Sequence, residues 1–456
     1  MVPGTALGVL VGDLVYTGLA LRLMRRTGRD DVTAMPFGID TPTLFAMVFG
    51  VLGPVKVATG DPVLAWKVGM ATTLAIGVVK ALLAFAGDFA QRAVPRAALL
   101  GSIAGVAILL IASLPALKVL RDPLVGLVSL GVLLVALLGG VRMPFGLPGA
   151  LAAVAAGTAV FWLRGGSAPV WAPSALGLAV PWPTLAWTDA LGATLPYLSV
   201  ALPFALVTTI GGIDNTESAA AAGDEYRTRD ILLTEAGATI LAGACGGVVQ
   251  NTPYIGHPAY KAMGARAGYT LATGLVIGLG ATCGALSLLV GLLPEAAVAP
   301  ILVYIGLEIT AQAFLASPSR HGPAVAVTFV PVTAAVVLIE LGQALGALGK
   351  SAADLTGDAA LNHRALLVLG NGFILTAVLW GSALAWMIDR RLLLTALAFA
   401  LASLASLFGV IHSAVPSGAL FWPWSASAPR EVALSLAGAY GVLAGLCAVL
   451  GVRGRG

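Results

Sequence analysis

Acidic and amide side chains interrupt the apolar pattern of this chain at two places. Asp214, Asn215 and Glu217 stand at the end of one apolar run, within GGIDNTESAA at Gly211–Ala220. The stretch QNTPYIGHPA at Gln250–Ala259 then lies where another membrane-length apolar run would be expected. Ionisable groups and non-helical backbone are costly at membrane depth, and they are tolerated where they face a protein-lined cavity. Broken helices form the substrate site in transporters, so this pattern predicts a binding cavity.

Composition restricts the class of protein to an all-α polytopic membrane protein. Hydrophobic residues are 59% of the chain, charged residues are 10%, and the mean hydropathy is +0.96, which excludes a soluble globular domain. The net charge of +4 comes from Lys and Arg in short loops, which excludes a nucleic-acid-binding patch. Cys245, Cys283 and Cys447 lie in apolar runs without CxxC or histidine at ligand spacing, so we expect packing residues and no metal or cofactor.

Apolar runs long enough to cross a hydrocarbon core of roughly 30 Å recur from end to end. They predict spans near residues 5–24, 62–87, 97–117, 123–140, 147–163, 189–213, 230–247, 268–293, 297–315, 323–345, 365–387, 391–411 and 432–452. Two shorter segments, 33–50 and 249–263, complete the series only if each is a short strand followed by a half helix. About 15 crossings are then expected.

Arginine clusters fall at every second loop of this series, including the loops that hold Arg25, Arg227 and Arg390. The positive-inside pattern makes these loops cytoplasmic, together with the C-terminus at Gly456, in a bacterial-type inner membrane. The N-terminus at Met1 is then expected outside, which is unusual. We expect either that translation starts upstream of this position or that a first helix has been lost.

Three motifs together resemble the nucleobase and ascorbate transporters, which are the nucleobase:cation symporter type 2 or xanthine/uracil permease superfamily. They are TAMPFGIDTPTLFA at Thr33–Ala46, GGIDNTESAA and QNTPYIGHPA. The branch that they resemble most is that of the hypoxanthine/adenine/guanine permeases. Members have fourteen segments in two inverted repeats of seven, with segments 3 and 10 each a strand plus a half helix. The similarity runs from Met1 to about Asp389; segment 1 is missing from it and two spans are appended.

The resemblance implies a secondary permease for a purine-like or other nucleobase-like substrate, proton-coupled and working by an elevator-type movement. It implies core parts at 1–88 and 187–293, gate parts at 89–186 and 294–388, and an additional helical hairpin at 389–456. The expected partners are this substrate, a coupling proton or cation and membrane lipids, with a homodimer allowed and no nucleic acid. Two departures affect the substrate: Gly256 stands where the family has an acid, and Asp40 replaces an asparagine.

Half-helix N-termini present unpaired N–H groups, which suit an anionic or carbonyl-rich ligand. The predicted substrate-binding residues are Phe37, Gly38, Asp40, Thr41, Asp214, Asn215, Glu217, Asn251, Thr252, Tyr254 and Gly256. The candidates for proton coupling are Asp214, Glu217 and His257. Asp13 and Glu308 each interrupt an apolar run, either as ligand or proton groups or as hydrogen-bond partners between helices. The alternative for the IDNTES acids is a solvated position at the cytoplasmic end of a helix.

Other functions remain open at this point. A small-anion transporter on the same fold, as in the sulfate-permease relatives, fits the loss of the second acid. A non-transporting receptor also fits. An enzyme is not expected, because neither HExxH nor GxSxG is present, and a primary pump is not expected without GxxxxGK[ST].

Overall fold

The structure, a computed structural model, describes residues 1–40, 43–44, 47–166, 177–286, 292–416, 418–425 and 429–453. Six helices in this part of the chain are long and apolar enough to cross a membrane, or seven if one bent helix pair counts as a single span. Four shorter apolar helices accompany them. The chain is an all-α polytopic membrane protein, as composition predicts, while the expected number of about 15 crossings stays a prediction.

The described part of the first half of the chain contains helices and one short strand. Its elements are α1 (Val2–Thr27), β1 (Phe37–Ile39), α2 (Gly53–Thr59), α3 (Pro62–Ala93), α4 (Arg96–Val106), α5 (Ser113–Arg121), α6 (Pro123–Leu137) and α7 (Gly149–Leu163). A π-helical turn at Val48–Leu52 leads into α2, and another at Ala107–Ala112 joins α4 to α5. The continuous helical segment from α4 to α5, Arg96–Arg121, is one of the membrane-length helices.

The second half repeats this order after one additional long helix. Its elements are α8 (Leu191–Thr194), α9 (Leu198–Ala221), α10 (Thr228–Ala244), β2 (Asn251–Pro253), α11 (His257–Ala262), α12 (Tyr269–Thr282), α13 (Glu295–Leu315), α14 (Gly322–Val327), α15 (Phe329–Ala347), α16 (Gly357–Gly370) and α17 (Phe373–Ile388). Two further helices, α18 (Leu392–Leu407) and α19 (Arg430–Arg453), end the described chain. They pack along each other, and α18 packs on α17.

The two halves pack on each other in a reciprocal manner. Helix α1 lies along α12, and its counterpart in the second half, α10, lies along α3. The pairs α6–α7 and α15–α16 also correspond. This exchange of equivalent contacts is what an inverted repeat produces. It agrees with the repeat architecture expected from the sequence.

The two strands meet in an antiparallel pair that joins the halves of the chain. Phe37 lies opposite Pro253, Gly38 opposite Thr252, and Ile39 opposite Asn251. The Tyr254 N–H donates to the Pro36 carbonyl at 2.6 Å, and the Asp40 N–H donates to the Gln250 carbonyl at 3.3 Å, at the two ends of this pair. The prediction of a strand followed by a half helix in each half is therefore confirmed.

Three segments differ from the boundaries expected from apolar runs. Helix α9 continues to Ala221, past the predicted end at 213, so Asp214 lies about two turns inside the helix and Glu217 lies about one turn from its end. The half helix expected to end at residue 50 extends to Thr59. The single span expected at 365–387 is two helices bent by 72°. The bend falls at Gly372, which has a left-handed φ of 72° that favours glycine.

Candidate functional site

The candidate site lies where the C-terminal third of α9 meets the strand pair. Asn215 donates from Nδ2 to the Pro253 carbonyl at 2.8 Å, so it fixes α9 against β2. Its side chain is buried, as are those of Gln250 and Asn251 at the start of the β2 segment. A strand inside an apolar helical protein leaves backbone groups that cannot all be satisfied within one segment. Here the side chains of neighbouring helices provide the missing partners.

Asp214 precedes Asn215 on α9 but is bonded to a different part of the molecule. Its side chain is 1% exposed, and its Oδ2 accepts a hydrogen bond from the Ser102 hydroxyl on α4. Its Oδ1 is buried without a hydrogen-bond partner among the described residues. Among the described residues, Asp214 thus hydrogen-bonds to α4, and one carboxylate oxygen remains to accept a hydrogen bond.

Glu217 lies one helical turn further along α9, at the edge of a cavity. It forms an ion pair with Arg96, and its Oε2 accepts from Gln91 Nε2 at 2.8 Å. The cavity has a volume of about 400 Å³ and is lined in part by these three residues, Arg92 and Tyr226. Because Arg96 neutralises Glu217, its carboxylate has less capacity to bind a further cation.

The first strand segment presents one carboxylate, from Asp40. Its Oδ2 accepts from the Thr43 N–H at 3.0 Å and also from the Thr43 hydroxyl, as an N-cap side chain does at the start of a helix. Phe37 is a packing residue, buried edge-to-face against Tyr16 with ring centroids 5.0 Å apart. Gly38 has open space on the side where a Cβ would lie. The remaining predicted residue of this segment, Thr41, lies outside the described residues.

The second strand segment is held mainly by α10. The Asn251 N–H donates to Thr239 Oγ1 at 3.2 Å. Thr252 Oγ1 donates to Glu235 Oε1 at 2.9 Å. Tyr254 is half-buried. Gly256 has a φ of 130°, a conformation that L side chains rarely adopt, so the backbone itself explains why no acid stands at this position.

The other sequence candidates lie away from this centre. His257 is buried, but its Nε2 contacts Asp224 Oδ2 at 3.0 Å in the loop between α9 and α10. Asp13 is buried on α1, where its Oδ2 accepts from Thr273 Oγ1 of α12 at 3.4 Å. Glu308 is half-buried on α13. Their positions favour roles in holding helices and loops together.

Sequence reasoning missed a buried ion pair behind β2. Lys80 on α3 and Glu235 on α10 contact each other, and their side chains are 1% and 0% exposed. Each is a single charge inside an apolar run, LAIGVVKALLAF and ILLTEAGATIL. The rule that selected Asp13 and Glu308 would therefore have selected both. Only the structure shows that they meet.

No family model matches the chain, and no curated protein matches it. Among solved structures, the chain is similar to the transmembrane domain of a cyanobacterium bicarbonate transporter BicA. That similarity has a TM-score of 0.43 and 17% sequence identity, and it covers 74% of this chain and 96% of that chain. The chemistry described for the site comes from the residues of this chain and not from that similarity.

The site is rich in hydrogen-bond acceptors. Asp40, Asp214 and Glu235 bring three carboxylates to the region around the strand pair and α9, and Lys80 brings one ammonium group. Within the described part of the chain, no three His, Cys, Asp or Glu side chains are grouped so that they could hold a metal ion. The arrangement suits a ligand that donates hydrogen bonds.

Proposed function

We propose that this protein is a secondary transporter whose substrate binds between the strand pair and the C-terminal third of α9. The observation that supports this most is the pairing of β1 with β2. In each half of the chain, the segment that contains the strand is not a continuous helix at this point. Interrupted backbone at membrane depth is tolerated where it lines a cavity, and in transporters such segments surround the substrate at the midplane.

The substrate that fits best is a neutral heterocycle with several N–H groups, such as a nucleobase. The free Oδ1 of Asp214 can accept an N–H, and so can the half-buried carboxylate of Asp40. An anion would meet an excess of negative charge in the same place. A coupling proton on Asp214 would neutralise one of these carboxylates. We therefore include proton coupling in the proposal.

One observation favours a small anion as a second candidate. The cavity of about 400 Å³ beside Glu217 is lined by Arg92 as well as Arg96, and Arg92 has no acidic partner among the described residues. The same lining contains Glu217 and Glu225, so the anion candidate rests on Arg92 alone, which can attract an anion. The two candidates differ in which compound class is transported, and flux measurements separate them.

Alternating access requires the α9 contacts to change. Asp214 bonds to Ser102 on α4, and Ser218 donates to Gln312 Oε1 on α13 at 2.7 Å. In an elevator-type movement, α9 and the strand segments move together against α4 and α13, so these bonds are broken and made again. The division into core and gate parts at the boundaries given above belongs to this proposal.

The first prediction is tested in proteoliposomes with an imposed pH gradient. We expect uptake of radiolabelled hypoxanthine, adenine or uracil, and weaker or no uptake of bicarbonate or sulfate. Asp214→Asn weakens a charge-assisted hydrogen bond of about 1.5–3 kcal/mol, so the apparent affinity should fall about tenfold or more. If Asp214 carries the proton instead, accumulation should be lost while exchange of substrate persists.

Asp358→Asn is the matched control, because Asp358 is exposed in the first turn of α16. It should behave as wild type. Flux of bicarbonate or sulfate without flux of a nucleobase would refute the nucleobase candidate and support the anion candidate. Saturable binding without flux of either class, from folded protein, would show a receptor and refute transport. Wild-type affinity, accumulation and pH dependence in Asp214→Asn would refute both roles of this carboxylate.

A further inference from the structure

The ion pair between Lys80 and Glu235 joins α3 to α10 behind β2. Both side chains are almost completely buried. Removing two charges from water is costly, and the cost is offset only when the remaining hydrogen-bonding positions are also satisfied. The partners of Lys80 satisfy this condition for the ammonium group, whereas one oxygen of Glu235 has no hydrogen-bond partner among the described residues.

Lys80 is surrounded by oxygen atoms of three kinds. Its Nζ contacts the Glu235 carboxylate, the Gln250 side-chain Oε1 at 2.9 Å, and the backbone carbonyl of Asn251 at 3.2 Å. An ammonium has three N–H donors, so these three oxygens use all of them. A carboxylate, an amide oxygen and an unwound backbone carbonyl are also the ligands that a hard cation takes in proteins.

This oxygen shell is connected to the first strand segment. Gln250 accepts from Lys80 through Oε1, and its Nε2 donates to Thr43 Oγ1 at 2.6 Å. The same Nε2 lies 3.4 Å from Asp40 Oδ2. The positive charge therefore orients the amide that bridges the two strand segments. A second oxygen of Glu235, Oε2, is buried and without a hydrogen-bond partner among the described residues.

We propose that the Lys80 ammonium is a resident cation in an oxygen-lined cation site behind β2. The wild-type protein then needs no sodium ion at this place. Removal of the lysine side chain leaves the Glu235 carboxylate, the Gln250 amide oxygen and the Asn251 carbonyl as a site for a small monovalent cation such as Na⁺. The proposal goes beyond transport, and its test requires no flux.

The experiment measures the thermal unfolding midpoint of purified protein in detergent. NaCl is titrated against choline chloride at constant ionic strength. Wild type should show the same midpoint in both salts. Lys80→Ala should have a lower midpoint in choline, because Glu235 is left buried without its partner, and Na⁺ should raise that midpoint by a few degrees in a saturable manner.

Two further variants serve as controls. Lys67→Ala removes a lysine from the same helix, but Lys67 is partly exposed and pairs with Asp189 at 2.8 Å. It should show no difference between the two salts. The double variant Lys80→Ala/Glu235→Gln lacks the carboxylate of the site and should lose the Na⁺ response.

A Na⁺-specific rise in the wild-type midpoint that the double variant loses would overturn the proposal, because Na⁺ would then bind at Glu235 although Lys80 is present. Folded Lys80→Ala without a cation-specific response would also overturn it. Lys80→Ser serves as a second variant of the same position. If neither Lys80 variant is recovered from choline buffers, extraction in NaCl should recover them. Failure in both salts counts against the proposal. The flux assay tests the transport proposal, and the unfolding assay tests the cation-site proposal. One proposal can therefore fail while the other holds.

Discussion

Asp224 is a buried carboxylate that holds three separate parts of the chain together. It lies in the loop between α9 and α10, and it accepts from His257 Nε2 at 3.0 Å, Lys261 Nζ at 2.8 Å and the Thr33 N–H at 3.1 Å. Burial alone would raise the pKa of this carboxyl, but the hydrogen bonds from His257, Lys261 and Thr33 lower it further than burial raises it. The net result is a pKa below the ordinary value.

The lowered pKa gives Asp224 a predicted effect on stability. A group whose pKa is lower in the folded state contributes stability that is present above the unfolded value of about 3.9 and is lost as the pH falls through the folded value. Asp224→Asn should lower the free energy of unfolding at neutral pH by about 1.5–3 kcal/mol. Its unfolding midpoint should also fall less steeply than that of wild type below about pH 4.

The measurement is thermal unfolding in detergent between pH 3 and pH 7, with Asp30→Asn as control. Asp30 is exposed in the segment that follows α1, so its variant should follow the wild-type curve. Equal pH dependence of the Asp224 variant and wild type would contradict the argument.

At the scale of residues, the sequence predicted which side chains are unusual but not which ones meet. Asp214 and Glu217 stand out because they are acids in an apolar chain, yet their partners Ser102 and Arg96 come from α4. Partners that lie far apart in the sequence depend on which helices pack together. The sequence places Gln250 in a broken segment. Only the structure shows that its amide joins the two strand segments.

At the scale of elements, the final helices are joined to the rest by a polar cluster around Tyr440. Trp380 Nε1 on α17 donates to Tyr440 Oη at 2.7 Å, and His412 Nε2 contacts the same oxygen at 2.8 Å. His412 Nδ1 lies 3.0 Å from the Val368 carbonyl of α16. One hydroxyl on α19 thereby connects three parts of the C-terminal region.

Tyr440→Phe should lower the free energy of unfolding by about 1–3 kcal/mol, since it leaves the Trp380 N–H and a His412 nitrogen without their partner. Tyr197→Phe is the control, because the structure shows no hydrogen bond of the Tyr197 hydroxyl to the residues that it describes. Chemical unfolding in mixed micelles measures the difference. Equal stability of the Tyr440 variant and wild type would show that the Tyr440 hydroxyl does not contribute to holding α19 in place.

The elements themselves were predicted unevenly. The two strands followed from Pro and Gly in otherwise apolar segments, where a continuous helix is disfavoured. The 72° bend between α16 and α17 was missed, although LGNGF contains the Asn-Gly pair that marks a turn. The length of α9 was underestimated because polar side chains were taken as the end of a span, while a buried helix tolerates them if they are bonded.

At the scale of the whole molecule, the arrangement of arginines predicts an orientation in the membrane. We expect cysteines introduced at Arg25, Arg227 and Arg390, in a background without the native cysteines, to resist a membrane-impermeant maleimide added outside the cell. A cysteine at the exposed Lys350, which follows α15, should react. Reaction at any of the three arginine positions would break the assignment of sides.

The strand pair also has a consequence for the energetics of the whole cycle. Since β1 comes from one repeat and β2 from the other, hydrogen bonds between them tie both half helices into a single unit. Under the proposed elevator-type movement, a ligand held there would keep the same immediate contacts whichever side of the membrane is open. Its intrinsic dissociation constant would then be similar at the two faces, because the groups that contact the ligand would be the same.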